Sequence, residues 1–279
     1  IIEAKNQDVA VLASEGVKKL GGDDFDMALQ KIVQKKFKEV TGEDLDIQKG
    51  YTKTDAEEDK KSLSKRDKVN VRVEKTNIEL TRGEFEKEIS SLLAQTEMLC
   101  ENAIEEAGLK LKDIKDVLLV GGSTRVPCVT ESVKKIFKKE PVTTVNVDEA
   151  VVLGASLFSA IKGDTAELTP PQKASISKLT VTDVSVGCFG TNAIRGSNQE
   201  EYIAILIKKN EKIPCSVTET FYTMYDNQTE VNCKITQSDS PTDDPKWVNT
   251  IWDGFLSLPS GRKAGQKVDV TYSYDENGT

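Results

Sequence analysis

The spacing of apolar residues changes once along this chain of 279 residues, across a segment at about 163–177. Before that segment, apolar residues recur at helical spacing, as in the stripe that begins at Phe25. After it, short apolar–polar alternations are separated by Gly, Pro, Asn and Asp, which is typical of antiparallel strands. The segment itself is polar and contains glycine and proline, a linker composition. The sequence therefore predicts a first domain over 1–162, a linker over 163–177 and an all-β antiparallel sandwich over 178–279.

Charge and composition exclude several classes of protein. The formal net charge of −8 argues against a nucleic-acid partner, because binding to phosphate backbones needs clustered Lys and Arg. The chain has no histidine, which excludes Ser–His and Cys–His nucleophilic sites, and its five cysteines form no CxxC motif. We therefore expect no metal site and a reducing compartment. No apolar run has membrane-spanning length and nothing at Ile1 resembles a signal peptide, so we expect a cytoplasmic protein without a membrane partner.

A glycine turn in the first half has the character of a phosphate-binding loop. The apolar residues 117–120 predict a buried strand, and Gly121 and Gly122 follow it directly. Pro127 suits the first turn of the next helix, where its lack of an N–H costs nothing. Such a turn leaves backbone N–H groups uncovered at a positive helix end, which is a common way to hold phosphate oxygens. Taken alone, the pattern is equally typical of an ordinary strand-to-helix turn in an α/β domain.

Other helices are indicated by spacing and capping residues. Glu57 and Lys61 stand four residues apart on a charged helix and are predicted to pair. The residues at 81–84 have capping-box spacing and open a long amphipathic helix that Gly108 is placed to end. The stretch 148–161 is apolar on nearly every side, so we predict a buried helix there.

Strands are predicted wherever apolar and polar residues alternate between turn-forming residues. In the first half they fall at 1–4, 9–14, 69–80 (as a hairpin) and 142–145. In the second half they fall at 179–181, 184–186, 202–207, 218–222, 231–235, 248–251 and 268–274. The chain begins and ends within predicted structure, so we expect it to be part of a longer protein.

Several motifs together resemble one known family. LGGDDFD (20–26), EEDKKSLS (57–64), VGGSTRVP (120–127) and NVDEAVVLGA (146–155) occur in the order seen in DnaK-type heat-shock chaperones. LIKKNEKIP (206–214) and FYTMYDNQ (221–228) resemble the peptide-binding domain of that family. The resemblance covers nearly the whole chain. It implies the second lobe of an α/β actin-like (ribonuclease-H-like) ATPase domain, followed by most of an all-β antiparallel sandwich without the helical lid of the family.

The resemblance also implies positions around a bound nucleotide. Gly121, Gly122 and Ser123 would line its phosphate and ribose side, and Arg125 would lie on the adenine face, a role suited to a planar guanidinium. Two further residues would complete the pocket. They are Gly22 and Asp148.

The charged helix contributes the remaining nucleotide residues that the resemblance implies. Glu57 and Lys60 match positions that hold the ribose hydroxyls, and Ser64 matches one that reaches the adenine. Lys61 stands where many relatives have an Arg on the other side of the adenine, and it lacks a flat face for stacking. Without the resemblance, a solvated helix face would be the better interpretation of Glu57, Lys60 and Lys61.

For the second half, the resemblance implies a groove that binds an extended apolar peptide through backbone hydrogen bonds and side-chain pockets. The residues expected at or near this groove are Val186, Cys188, Thr191, Phe221, Met224, Val231 and Cys233. The alternative interpretation is that these residues form ordinary sandwich core. The linker at 175–182 alternates polar and apolar residues where the family has an almost unbroken Leu run, which indicates weak or altered coupling between the domains.

The function implied is that of an ATP-dependent, stress-response chaperone that binds unfolded polypeptides under nucleotide control. Its cofactors would be ATP or ADP with magnesium, and its partners a J-domain co-chaperone and a nucleotide-exchange factor. The catalytic residues of the family lie in a first lobe that no part of this chain matches, so we assign none here and expect no sustained ATP hydrolysis by residues 1–279. Whether the parent protein is an enzyme stays open.

Two other functions would fit parts of this sequence. A degenerate family member could act as a nucleotide-binding regulatory or scaffolding co-chaperone without productive hydrolysis, which the linker and Lys61 would fit. An actin-fold sugar or small-molecule kinase would fit the first half alone, but not the peptide-domain segments.

Overall fold

The computed structural model describes residues 1–17, 19–142, 146–163, 166, 168–196, 198–276 and 278–279. These residues form two compact units, one containing Glu15–Ser177 and the other containing Ile1–Ser14 together with Lys178–Thr279. The first residues of the chain thus belong to the same unit as the β-rich second half. The division into domains at 1–162, 163–177 and 178–279 stays a prediction.

The bounds of the elements follow in chain order. The strands are β1 (Ile2–Lys5), β2 (Asp8–Val11), β3 (Lys68–Val73), β4 (Thr76–Thr81), β5 (Thr180–Val184), β6 (Cys188–Arg195), β7 (Glu200–Ile207), β8 (Lys212–Ile213), β9 (Cys215–Tyr222), β10 (Glu230–Ser238), β11 (Asn249–Ser257) and β12 (Lys267–Tyr274). The α-helices are α1 (Gly22–Thr41), α2 (Lys53–Leu63), α3 (Arg82–Glu88), α4 (Ser90–Glu106), α5 (Pro127–Phe137), α6 (Ala150–Lys162) and α7 (Pro170–Ile176). Within the described residues, no helix is long and apolar enough to cross a membrane.

The core of the unit Glu15–Ser177 is built on helix α1. Its stripe of Phe25, Leu29, Val33 and Phe37 is buried, which confirms the helical spacing read from the sequence. Helix α2 and the antiparallel hairpin β3–β4 pack against α1. Phe25 also meets Phe85 of α3 edge to face, with ring centroids 6.2 Å apart. This packing fixes α2 relative to the first turn of α1.

The capping box at 81–84 is confirmed, but the helix that it opens is interrupted. The Thr81 hydroxyl accepts from the Glu84 N–H, and the Glu84 carboxylate accepts from the Thr81 N–H. At Ile89 the backbone leaves helical geometry (φ −88°, ψ 2°) while the side chain is fully buried in the core. The run therefore divides into α3 and α4, and α4 ends before Gly108, whose φ of +67° suits a residue without Cβ.

The buried strand predicted at 117–120 is wrong. Leu118 makes one isolated parallel bridge to Val142, and the side chains of Leu118 and Val120 are exposed. The described residues at 117–120 form no strand, so this apolar run is not part of a sheet. Of the strand predicted at 142–145, only Val142 is described; residues 143–145 lie outside the described residues. Helix α5 does begin at Pro127, as predicted.

The buried helix predicted at 148–161 is also wrong in its burial. Helix α6 is present, but Val151, Val152 and Leu153 are each more than half exposed. Within the described unit its packing contacts are mainly with the short helix α7, which lies in the segment predicted as a polar linker. Among the described residues, the apolar surface of α6 therefore has little to pack against.

The other unit is built almost entirely of strands. One sheet has the order β11-β10-β6-β7 and a second pairs β9 with β12, all antiparallel. A further sheet has the order β1-β2-β5-β8, in which β2 and β5 run parallel. Strands β6 and β8 were not predicted, and the strand expected at 184–186 is only the end of β5. The content is mixed α/β; the actin-like lobe and the two-sheet sandwich stay predictions.

Candidate functional site

Three of the nucleotide residues predicted from the sequence converge at the start of α1. The ammonium of Lys60, on α2, donates a hydrogen bond to the Gly22 carbonyl at 3.0 Å. Ser123 lies on a short 3-10 turn, Gly122–Arg125. A Cβ added to Gly22 would lie 3.2 Å from Lys60 Nζ and 3.4 Å from Ser123 Oγ. The absence of a side chain at residue 22 therefore leaves a small polar opening between an ammonium and a hydroxyl.

A fourth residue, Asp26, belongs to this cluster and was not among the predicted site residues. Its carboxylate lies 2.7 Å from Lys60 Nζ, and both side chains are almost completely buried. Burial raises the pKa of Asp26, although the hydrogen bond and charge of Lys60 oppose the shift. A carboxylate on the buried stripe of α1, in line with Val33 and Phe37, was the signal in the sequence that could have identified it.

The glycine turn connects Ser123 to the remaining predicted residues. Gly121 has a φ of +91°, in the region that favours glycine, and its N–H donates to the Val147 carbonyl at 3.1 Å. The Arg125 guanidinium pairs with the Asp148 carboxylate on a half-exposed surface. Because this pair already uses one edge of the guanidinium, the planar face of Arg125 is left for stacking.

The other predicted residues on α2 and at its C-terminal cap lie toward solvent or are used within the helix. Lys61 pairs with Glu57 at 2.7 Å, which confirms the predicted pair, and this hydrogen bond lowers the pKa of Glu57. The Ser64 hydroxyl donates to the Lys60 carbonyl at 2.9 Å, so it caps the end of α2. Among the described residues, no hydrogen bond or ion pair joins Glu57–Lys61 to Arg125–Asp148.

The residues predicted for a peptide groove differ in their accessibility. Val186 is exposed and Met224 is 38 % exposed, whereas Cys188 and Thr191 on β6 are buried. The Lys209 N–H donates to Cys188 Sγ at 3.4 Å, a contact within the sheet region. The other three, Phe221, Val231 and Cys233, are partly buried on β9 and β10. Cys188 and Thr191 therefore fit the core interpretation, while Val186 and Met224 can contact a ligand.

The unit Glu15–Ser177 also contains a cavity of about 720 Å³ between α4 and α5. Glu97, Glu101 and Glu105 form one wall, spaced one helical turn apart, and Ile104 and Ile136 also line it. None of the predicted nucleotide residues lines this cavity. Ligand binding in this cavity can therefore be distinguished from ligand binding at Gly22.

Comparison with known proteins agrees with the resemblance in the motifs. The family model for the Hsp70 protein matches residues 1–279. The mitochondrial heat shock 70 kDa protein of Solanum tuberosum is 33% identical over 292 residues, which covers 100% of this chain and 40% of that protein. The corresponding protein of Pisum sativum is 32% identical, and the alignment covers 41% of it. The chain thus spans about two fifths of the length of these relatives, and it belongs to the Hsp70 protein family.

Proposed function

We propose that the protein containing this chain is a molecular chaperone that binds extended apolar segments of unfolded polypeptides under the control of ATP or ADP. The convergence of Gly22, Lys60 and Ser123 is the observation that carries the proposal. In this proposal, residues 15–177 supply one wall of the nucleotide site and residues 178–279 supply the polypeptide site.

The side chains at the opening fit the ribose and base of a nucleotide. Lys60 supplies N–H donors and Ser123 a hydroxyl, which suit ribose hydroxyls, while Arg125 supplies a planar cation for the base. Bound ATP would supply the energy of phosphate hydrolysis to the chaperone cycle. The residues described here bind and orient its sugar and base, and magnesium binding is proposed for other parts of the protein.

The sheets around β9 and β10 support the assignment of a polypeptide site. Met224 lies two residues after the end of β9, and its N–H donates to the Gln228 side chain at 2.9 Å, which fixes the loop that carries it. An exposed thioether on a fixed loop suits contact with varied apolar side chains, because methionine is flexible and polarisable. We also propose a J-domain co-chaperone and a nucleotide-exchange factor as partners.

A cytoplasmic location stays a prediction, and it differs from the mitochondrial location in the names of both relatives. Cell fractionation of the tagged full-length protein tests it. Recovery in the mitochondrial fraction would contradict the prediction.

Met224→Asp in the full-length protein is expected to weaken peptide binding about tenfold, because an ionised carboxylate would be buried against an apolar peptide. The measurement is fluorescence anisotropy of a labelled Leu-rich peptide with saturating ADP and, separately, ATP. Ile251→Asp on β11, another exposed apolar position of the same unit, is the control and should retain the affinity. Unchanged binding by Met224→Asp would refute the groove assignment, and equal peptide affinity with either nucleotide would refute nucleotide control.

A further inference from the structure

The ammonium of Lys60 has one hydrogen-bond donor to spare. A lysine ammonium carries three N–H donors. Among the described residues, the ammonium donates to the Gly22 carbonyl at 3.0 Å and forms an ion pair with the Asp26 carboxylate, whose nearest oxygen lies 2.7 Å from Nζ. The Lys60 side chain is largely buried, and its ammonium borders the opening at Gly22, as Ser123 Oγ also does. A buried donor without a partner is costly, so this position favours a ligand that accepts a hydrogen bond.

A second ion pair between the same two helices provides a direct comparison. Asp23 of α1 pairs with Lys53 of α2 at 2.5 Å, but both side chains are more than half exposed. Exposed pairs of this kind are hydrated and contribute little energy toward fixing the positions of their side chains. Asp26 and Lys60 are instead 3 % and 12 % exposed, so their geometry is fixed by the packing of α1 on α2.

The buried pair is poorly explained by stability alone. Burial raises the pKa of Asp26 above its value in the unfolded chain. A carboxyl with a raised pKa favours folding below its unfolded pKa and loses that contribution as the pH rises through its folded pKa. The ionised form of Asp26 therefore costs folding free energy, and replacing a buried pair with well-packed apolar side chains is often tolerated.

We infer that Asp26 is a positioning residue for the proposed nucleotide site, holding the Lys60 ammonium so that its remaining N–H donates to a ribose hydroxyl. The inference rests on the proposed function and adds to it a residue that the resemblance did not imply. Asp26 does not touch the nucleotide in this arrangement; it fixes the direction in which Lys60 donates. The Gly22 carbonyl supplies the second fixed point, so the ammonium cannot turn away from the opening.

The test compares ADP with 2′,3′-dideoxy-ADP, binding to the 279-residue chain by calorimetry at neutral pH. The parent chain is expected to prefer ADP about tenfold, as one charged hydrogen bond would provide. Asp26→Asn, which keeps the shape of the side chain, should reduce this preference to about twofold or less and leave the affinity for the dideoxy ligand unchanged. Asp23→Asn is the matched control and should keep the parent's preference.

A purely structural role of Asp26 would make its substitution weaken the binding of ADP and of 2′,3′-dideoxy-ADP equally. Equal weakening by Asp26→Asn therefore overturns the inference, as does an unchanged preference for ADP. If that variant does not fold, Asp26→Asn combined with Lys60→Met removes both buried charges; it should show no preference, and a retained preference overturns the inference. A parent chain that binds both ligands equally refutes the role of Asp26 but leaves nucleotide binding intact. A parent chain that binds neither refutes the proposed function as well.

Discussion

Gly22→Val is expected to lower the affinity for ADP about a hundredfold, equivalent to about 2.8 kcal/mol. Even a single Cβ at this position would lie 3.2 Å from Lys60 Nζ and 3.4 Å from Ser123 Oγ. The two further methyl groups of valine would fill the opening and displace both polar groups from a ligand. Calorimetric titration of the 279-residue chain with ADP measures the effect.

The neighbouring glycine provides the control for this substitution. A Cβ on Gly21 would meet nothing within 4 Å, and its backbone is extended, with a φ of −175°. Gly21→Val should weaken the N-cap of α1 by about 1 kcal/mol but keep the ADP affinity. Equal loss of affinity in both variants would mean that the start of α1, rather than the opening at Gly22, governs binding.

Phe85→Ala is expected to destabilise the unit Glu15–Ser177 by about 3–5 kcal/mol. The ring is 1 % exposed and packs edge to face on Phe25, so its removal leaves a cavity between α3 and α1. Such a loss is a large fraction of the stability of an ordinary domain. Urea unfolding followed by circular dichroism measures the change in the free energy of unfolding.

Met98→Ala is the control for the core substitution, because Met98 lies on the adjacent helix α4 and is 63% exposed. It should change the free energy of unfolding by less than about 0.5 kcal/mol. A loss below about 1 kcal/mol in Phe85→Ala would contradict the packing of α3 on α1.

Local patterns predicted most helices of the unit Glu15–Ser177, but not α7, which lies in the segment predicted as a linker. The stripe of Phe25, Leu29 and Val33 and the capping box at Thr81 depend on residues within one or two turns, which sequence displays directly. The break at Ile89 was not predictable in this way. Its side chain occupies the core formed by α1 and the β3–β4 hairpin, and that distant packing overrides the helical pattern.

Burial was harder to predict than the presence of an element. The apolar helix α6 and the run at 117–120 were both expected to be buried, because apolar residues usually are. Burial also needs a partner surface, and the described unit offers little to α6 beyond α7. Pairing of strands has the same limit: alternation indicates β2 and β5, but not that they lie side by side in parallel.

The candidate site also combines residues that the sequence predicted with one that it did not. Its predicted residues came from a resemblance in short motifs, and the structure brings Gly22, Lys60 and Ser123 together. Asp26 stood inside one of those motifs without being chosen. The role that we infer for it depends on a lysine from another helix, and no spacing rule links residues of different helices.

The most direct measurement of the proposed nucleotide wall is a set of amide chemical shifts of the isotope-labelled chain during titration with ADP. Saturable shifts at Gly22, Lys60 and Gly122–Arg125, with little change around Glu101 and Lys135, are the predicted result. Shifts confined to the cavity between α4 and α5, or no saturable shifts at all, would contradict a nucleotide site at Gly22, Lys60 and Ser123.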